Sequence, residues 1–389
     1  MILFALAAML QVRPALAQEP TAKVASKTLM VHYMPWFEAK PTSNSWGWHW
    51  TMNALDPEKV INGKREIAAH YYPLIGPYDS SDIDVLEFHL LTMKLAGIDG
   101  VIVDWYGLTD YRDYAILHRN TTRLLETAER LKMKFAICYE DQTIPALESG
   151  KRLAGKDRVT HALSEINWLG KYWFQSPSYL SLNGKPVLLS FGLNGLSDDE
   201  WTKCLEKVET PIVYFSQQKR RPLAVGGFDW PIPSQPEESL KRFATESTQW
   251  KESIPVAYPR FVDFYQQAKV GKSYGNVPDD SGKRYAEMLK SALESKASII
   301  QIATWNDWSE GTVIEPSVEF QYRELETTLE LAKEHGLMKL EVSGDDLRLP
   351  QRLFEKRRMD TTHEHRAVLD KIARLISEGK LNEAQALLQ

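Results

Sequence analysis

Hydrophobic and polar positions follow two alternating rhythms along most of the chain. Short apolar and β-branched runs occur at Leu29–Tyr33, Gly100–Trp105, Phe135–Glu140, Pro186–Phe191, Ile212–Ser216, Ala224–Phe228, Ile254–Tyr258 and Ser298–Thr304. Some, such as Val101-Ile102-Val103 and Val187-Leu188-Leu189, are apolar without interruption, as strands covered on both faces are. Between them apolar residues recur at helical spacing, as in Val85–Leu95, His118–Leu131, Val159–Trp173 and Lys283–Leu293. Repeated strand-then-helix order predicts parallel strands joined by crossover helices. Eight such strands predict an α/β fold of the (β/α)8 TIM barrel type. An open doubly wound sheet would need a Gly-rich phosphate loop after its first strand, and that position holds Pro35-Trp36-Phe37-Glu38.

Two regions depart from this rhythm. The first βα connection, Met34 to Asp84, is long and carries Trp36, Trp46, Trp48, His49, Trp50, Tyr71, Tyr72 and Tyr78. That density of rings argues against disorder and predicts a wall over the barrel mouth. After residue 350, Arg352, Lys356, Arg357 and Arg358 precede an amphipathic stretch, His365–Leu388, with Leu369, Ile372, Leu375 and Ile376 on one face. It predicts a C-terminal helical tail packed on the barrel, with a partner-docking helix as the alternative. At the other end, the apolar run Met1–Leu10 is shorter than the ~20 residues that span a bilayer. It leads to Ala15-Leu16-Ala17, the small-x-small pattern of an export signal. The expected division is therefore a signal peptide at 1–17, the barrel at 18–350 and the tail at 351–389. The mature protein is expected to be periplasmic or extracellular, with no membrane span.

Composition narrows the function. The 389 residues are 43% hydrophobic and 25% charged, and Lys+Arg 47 against Asp+Glu 52 gives a net charge of −5. No basic stripe is present, which argues against nucleic acid as a partner. The 12 Trp and 16 Tyr point elsewhere, because flat apolar sugar faces pack on such rings. Cys138 and Cys204 fall in separate apolar elements and are expected to be free.

Chemistry in a (β/α)8 barrel sits at the carboxyl ends of the strands. The polar residues there are His32, Asp104, Glu140, Asp141, Asp229, Asp307 and Glu310. Several have aromatic neighbours: Asp104-Trp105-Tyr106, Tyr139-Glu140, Asp229-Trp230 and Trp305-Asn306-Asp307-Trp308. Asp307 and Glu310 are three apart, so a helical turn places them on one face. Gly311 allows a sharp reversal just after them, and Pro316 disfavours a long helix. Glycoside hydrolysis uses such a carboxylate pair, one as acid and one as base.

The stretch Trp305-Asn306-Asp307-Trp308-Ser309-Glu310-Gly311-Thr312-Val313-Ile314-Glu315-Pro316 resembles the signature of glycoside hydrolase family 99, the endo-α-mannosidases. His32-Tyr33-Met34-Pro35-Trp36-Phe37 resembles that family's opening motif. Tyr72-Pro73-Leu74-Ile75-Gly76-Pro77-Tyr78-Asp79-Ser80 and Ala96-Gly97-Ile98-Asp99-Gly100-Val101-Ile102-Val103-Asp104-Trp105-Tyr106-Gly107 resemble its next blocks. Family 99 has Glu at the position of Asp307 and His at that of Ser309; Asp followed three residues later by Glu resembles family 71, the α-1,3-glucanases. The chain thus reads as a family 71/99-like protein. The resemblance implies Glu310 as general acid, Asp307 as base, Glu140 as a substrate-site glutamate, and His49-Trp50 as a pair near the scissile sugar. Glu315 belongs to the motif but is assigned to structure.

The expected function is a glycoside hydrolase cleaving α-linked glycans, α-mannan or α-glucan, with Asp307 and Glu310 catalytic. His32, Trp36, His49, Trp50, Tyr78, Asp79, Asp104, Trp105, Glu140 and Trp305 are expected to bind an oligo- or polysaccharide. No cofactor or metal is expected: His363-Glu364-His365 lacks a third ligand and reads as a solvated face. No Gly-x-Ser-x-Gly elbow is present, which removes the common esterase reading. Alternatives with the same barrel are a non-catalytic carbohydrate binder and a surface-polysaccharide-processing protein. Because Asp307 is one methylene shorter than the Glu of family 99, space for a water and net inversion at the anomeric carbon are expected.

Overall fold

The computed structural model describes residues 27–359 and 363–389, so the proposed signal at 1–17 lies outside the described residues. The eight sequence-predicted strands form one closed parallel ring. They are β1 (Thr28–Tyr33), β2 (Gly100–Trp105), β3 (Lys134–Glu140) and β4 (Lys185–Phe191). These are followed by β5 (Val213–Gln217), β6 (Gly226–Phe228), β7 and β8 (Ile299–Ile302). β1 pairs with β8 on one side and β2 on the other, Val31 opposing Ile302 and Val101.

β7 departs from the continuous Ile254–Tyr258 strand expected from sequence. Pro255 has no N–H to give to a ladder, and it splits β7 into Glu252–Ile254 and Val256–Ala257. The first piece pairs with β6 and the second with β8, so the ring closes across the proline. The Pro255 carbonyl still accepts from Gln301 N–H at 3.0 Å.

Helices α1 (Ile83–Leu95), α2 (Tyr114–Arg130), α3 (Arg158–Tyr172) and α4 (Asp198–Leu205) surround the first half of the ring. The second half carries α5 (Pro236–Glu246), α6 (Lys283–Glu294) and α7 (Arg323–Glu334). Starts follow capping chemistry: Asp82, Asp157 and Ser197 accept from the first-turn amides of α1, α3 and α4. β5 and β6 are joined without a helix; buried Arg221 pins that link to Leu196 O (3.0 Å) and Asp198 Oδ1 (2.7 Å).

Strand alternation divides the core into two layers. Val101, Val103 and Trp105 join the layer between strands and helices, whereas Ile102, Ala136, Cys138 and Leu189 fill the interior. Cys138 and Cys204 are free and buried. The tail forms α8 (Leu349–Met359), α9 (His363–Ser377) and α10 (Leu381–Leu388). Leu353, Leu369, Ile372, Leu375 and Ile376 bury their side chains in the outer layer, so the apolar face that allowed a partner-docking reading is covered from within. Arg357, itself buried, donates to Glu87 and Asp370, each at 2.8 Å. Among the described residues no helix is long and apolar enough to cross a membrane.

The first connection folds back over the mouth as expected. It contains a short helix (Trp48–Thr51) and a hairpin (Val60–Ile61 with Lys64–Arg65).

Candidate active site

The turn after β8 is fixed from several sides. Thr304 Oγ1 accepts from Asp307 N–H at 2.8 Å, and Asp307 Oδ1 accepts from Ser309 Oγ (2.8 Å) and Glu310 N–H (3.2 Å). Gly311 follows with φ +67°, where a Cβ would lie 3.0 Å from the Val262 carbonyl oxygen. The loop after β7 grips the same turn: Val262 and Phe264 N–H donate to Glu310 O and Ser309 O, each at 2.9 Å. Buried Arg260 donates to Val313 O at 2.9 Å and also pairs with Glu324. Behind the turn, buried Glu315 accepts from Tyr78 OH (2.7 Å) and Trp308 Nε1 (3.2 Å) and meets His89 Nε2 at 3.1 Å. Glu315 therefore holds the turn, as assigned from sequence.

Asp307 and Glu310 face a cavity of about 520 Å³ at the carboxyl end of the barrel. Asp104 and Glu140 come to it from β2 and β3, and His32 from β1; Trp36, Tyr106, Trp230, Tyr265 and Tyr274 supply ring surface. Tyr265 OH donates to Glu310 Oε1 at 3.0 Å. A second cavity of about 760 Å³ shares Trp36, Tyr106, Glu140 and Gln142 with the first and continues to His49, Glu38 and Asp113.

Burial of like charges sets the protonation states. Desolvation pushes Asp307 up to about 6, against hydrogen bonds from Ser309 and Glu310 that favour its charged form. Glu310 is raised well above the carboxylate range by burial and by the Asp307 charge. Asp104 rises through burial and Asp307, and Glu140 through burial and Asp104. Burial lowers His32 to about 3, so its imidazole is neutral. Burial thus disfavours ionising both carboxylates at once, and the Asp307 charge biases Glu310 towards its protonated form, the bias that suits a base beside an acid.

Six of the expected residues meet in this cleft: His32, Trp36, Asp104, Glu140, Asp307 and Glu310. His49 lines the adjoining cavity, stacked on Trp36 at 4.2 Å. The other five do not reach the cleft. Trp105 points outward into the helix layer against Trp168 and Trp173. Trp305 packs on His89, also in the outer layer. Trp50 lies against Phe37 at 4.2 Å, its Nε1 donating to Tyr78 O at 2.8 Å. Tyr78 turns to Glu315, and Asp79 accepts from Ala39 N–H (3.0 Å) and Ser81 Oγ (2.6 Å), fixing the first connection. These five hold the site from behind. Tyr106, Trp230, Tyr265 and Tyr274 were not among the expected site residues. The signal for Tyr265 was present in Asp263-Phe264-Tyr265, a carboxylate beside aromatics just beyond β7.

The fold and cleft define a (β/α)8 barrel with a carboxylate site at its carboxyl mouth. The model of Glycosyl hydrolase family 99 matches residues 221–335, which span β6 through α7 and include Asp307 and Glu310. The chain is 21% identical over 299 residues to a glycoprotein endo-alpha-1,2-mannosidase-like protein of Danio rerio, covering 69% of this chain and 65% of that one. It is 24% identical over 331 residues to the glycoprotein endo-alpha-1,2-mannosidase of Mus musculus, covering 75% and 68%. The match thus spans just under two thirds of the zebrafish relative. The GH99 endo-alpha-mannosidase from Bacteroides thetaiotaomicron shares the fold with a TM-score of 0.62 at 20% identity, over 79% of this chain and 97% of that one. The chain resembles glycosyl hydrolase family 99, as its motifs indicated.

Proposed function

We propose that this protein hydrolyses α-linked glycans, α-mannosides first among them, by acid–base chemistry at Asp307 and Glu310. One observation supports this above others: two buried carboxylates on one locked turn have protonation states pushed apart, facing a ring-walled cleft. Glu310 protonates the leaving oxygen while Asp307 accepts a proton from water or a sugar hydroxyl. Asp104, Glu140 and His32 hold hydroxyl groups, and Trp36 and Trp230 cover the flat faces of the sugar. In the same reading residues 1–17 direct export to the periplasm or beyond, residues 18–350 form the catalytic unit and 351–389 its packed tail.

The test is release of reducing sugar from a panel of α-mannans and α-glucans. Turnover by the wild type, lost in Glu310→Gln, is expected. Tight glycan binding with no release by the wild type would overturn hydrolysis in favour of a carbohydrate-binding role. Activity is expected to survive exhaustive chelation; a rate restored by one divalent ion would recast the carboxylates as ligands.

A further inference from the structure

We infer that the cavity adjoining the carboxylate cleft receives an amino sugar, its ammonium group held among Glu38, Asp113 and Glu140 beside the faces of Trp36 and Trp48. This rests on the reading of the neighbouring cleft as the place where the α-glycosidic bond is cut.

The wall chemistry carries it. Three carboxylates line the cavity against one cation, Arg112, whose guanidinium lies over the Tyr111 ring at 5.3 Å. His49 adds no charge, because burial lowers its pKa despite Asp113 Oδ2 at 3.3 Å. The adjoining cleft contributes three more carboxylates, Asp104, Asp307 and Glu310, and no Lys or Arg. An ionised carboxylate only accepts hydrogen bonds and an ammonium only donates them, with three N–H groups; burial raises Glu38 and Glu140, and a neighbouring ammonium would favour their ionised forms. Sugar hydroxyls need both kinds of partner, so a wall this rich in acceptors fits a donor-only group better. Phosphorylated, sulfated or uronic sugars would meet net repulsion, with Arg112 as the single opposing cation of the wall.

Part of this polar set is also unspent. No hydrogen bond or ion pair engages the Glu38 carboxylate; burial and the charges of Asp79 and Asp113 raise its pKa, opposed by Arg119. The Arg119 guanidinium is committed to Asn120 Oδ1 at 3.0 Å and 3.2 Å. Glu140 gives one oxygen to Gln142 at 3.0 Å, and its other oxygen takes no hydrogen bond. The indole N–H of Trp36, a residue 8% exposed on the wall common to both cavities, has no partner and, as a donor, is left for an oxygen of the sugar. Ring faces with carboxylates around them are the arrangement that attracts organic cations.

Calorimetry on the full chain, carrying Glu310→Gln to prevent turnover, compares α-mannosyl-glucosamine with its N-acetylated form and with α-mannosyl-glucose. The free amine is expected to bind about tenfold tighter than either, the margin between charge-assisted and neutral hydrogen bonds. The margin should shrink between about 0.05 M and about 0.5 M salt. Adding Glu38→Gln should reduce it to about threefold or less and leave the glucose form's affinity unchanged. Equal or tighter binding of the N-acetyl or glucose form, or a margin indifferent to salt, overturns the inference. The salt series needs no variant at Glu38 and decides alone if that variant fails to fold. The two readings fail separately. Wild-type cleavage of neutral α-glycans with no amine preference overturns this inference only. An amine preference with no cleavage of any α-glycan overturns the hydrolase reading only.

Discussion

Replacing Asp307 by Asn should make the protein more stable and nearly inactive. Asp307 is 3% exposed, and its Oδ1 accepts from Ser309 Oγ and Glu310 N–H. An Asn oxygen can take both bonds, so the turn should persist. What disappears is a buried charge. In the fold the Asp307 pKa rises from 3.8 to about 6, roughly two units, or about 3 kcal/mol at 1.36 kcal/mol per unit. A carboxyl whose folded pKa is raised costs nothing below its unfolded pKa. Its penalty grows as pH rises from about 4 to 6 and is complete above that. The Asn variant escapes the penalty, so urea unfolding at pH 7 should show it more stable by about 3 kcal/mol, with the gap closing towards pH 4. Loss of the base should lower kcat about 10²–10⁴-fold, equivalent to about 3–5 kcal/mol of barrier. A variant less stable than wild type at pH 7, or a gap the same at pH 4 and pH 7, would refute the electrostatic reasoning. A near-wild-type rate would refute the role given to Asp307.

Other outcomes follow from the same geometry. Trp36→Ala should raise KM about three- to tenfold by removing a stacking face, while Trp105→Phe should lower stability by about 1–3 kcal/mol and leave KM unchanged. Steady-state kinetics and urea unfolding separate the two, and a KM effect from Trp105 would place it in the cleft after all. Arg357→Met should cost about 3 kcal/mol in urea unfolding, since buried Glu87 loses a partner. Proton NMR of the first-formed product should show net inversion at the anomeric carbon, and an α-anomer before mutarotation would establish retention instead.

The barrel could be read from the chain because parallel strands buried on both faces leave a distinctive apolar signature, as at Val101-Ile102-Val103. The split of β7 was harder to see, although Pro255 stands in the run that was read as one strand. The turn that brings Asp307 and Glu310 to one cleft was legible from their spacing with Gly311 beyond. The site list erred where carboxylates and their sequence neighbours were sent to the same place. Successive residues of a strand face opposite ways: Asp104 enters the cleft and Trp105 the helix layer. Glu140 and Tyr139 divide in the same manner, the tyrosine bonding Glu165 at 2.5 Å. Tyr265 was missed despite the Asp263-Phe264-Tyr265 signal, and Tyr274 gave none, because the path of the loop after β7 is set by tertiary contacts such as Val262 N–H to Glu310 O.

The interrupted seventh strand has a mechanical consequence. β6 holds only Gly226–Phe228, β7 is broken at Pro255, and the link before β6 has no covering helix. A cavity of about 820 Å³ beside Leu240, Phe243, Trp250 and Met288 leaves this same sector thinly packed outside. Fewer ladder bonds and less buried contact mean a lower free energy of local opening, so amide exchange should begin here rather than at β1–β4. The loops from this sector carry Trp230, Phe261, Tyr265 and Tyr274, whereas His32, Trp36, Asp104 and Glu140 stand on or beside the longer ladders of β1–β3. The cleft is therefore stiff on one bank and yielding on the other. Outward displacement of the yielding bank would widen the cleft while the groups of the stiff bank kept their register.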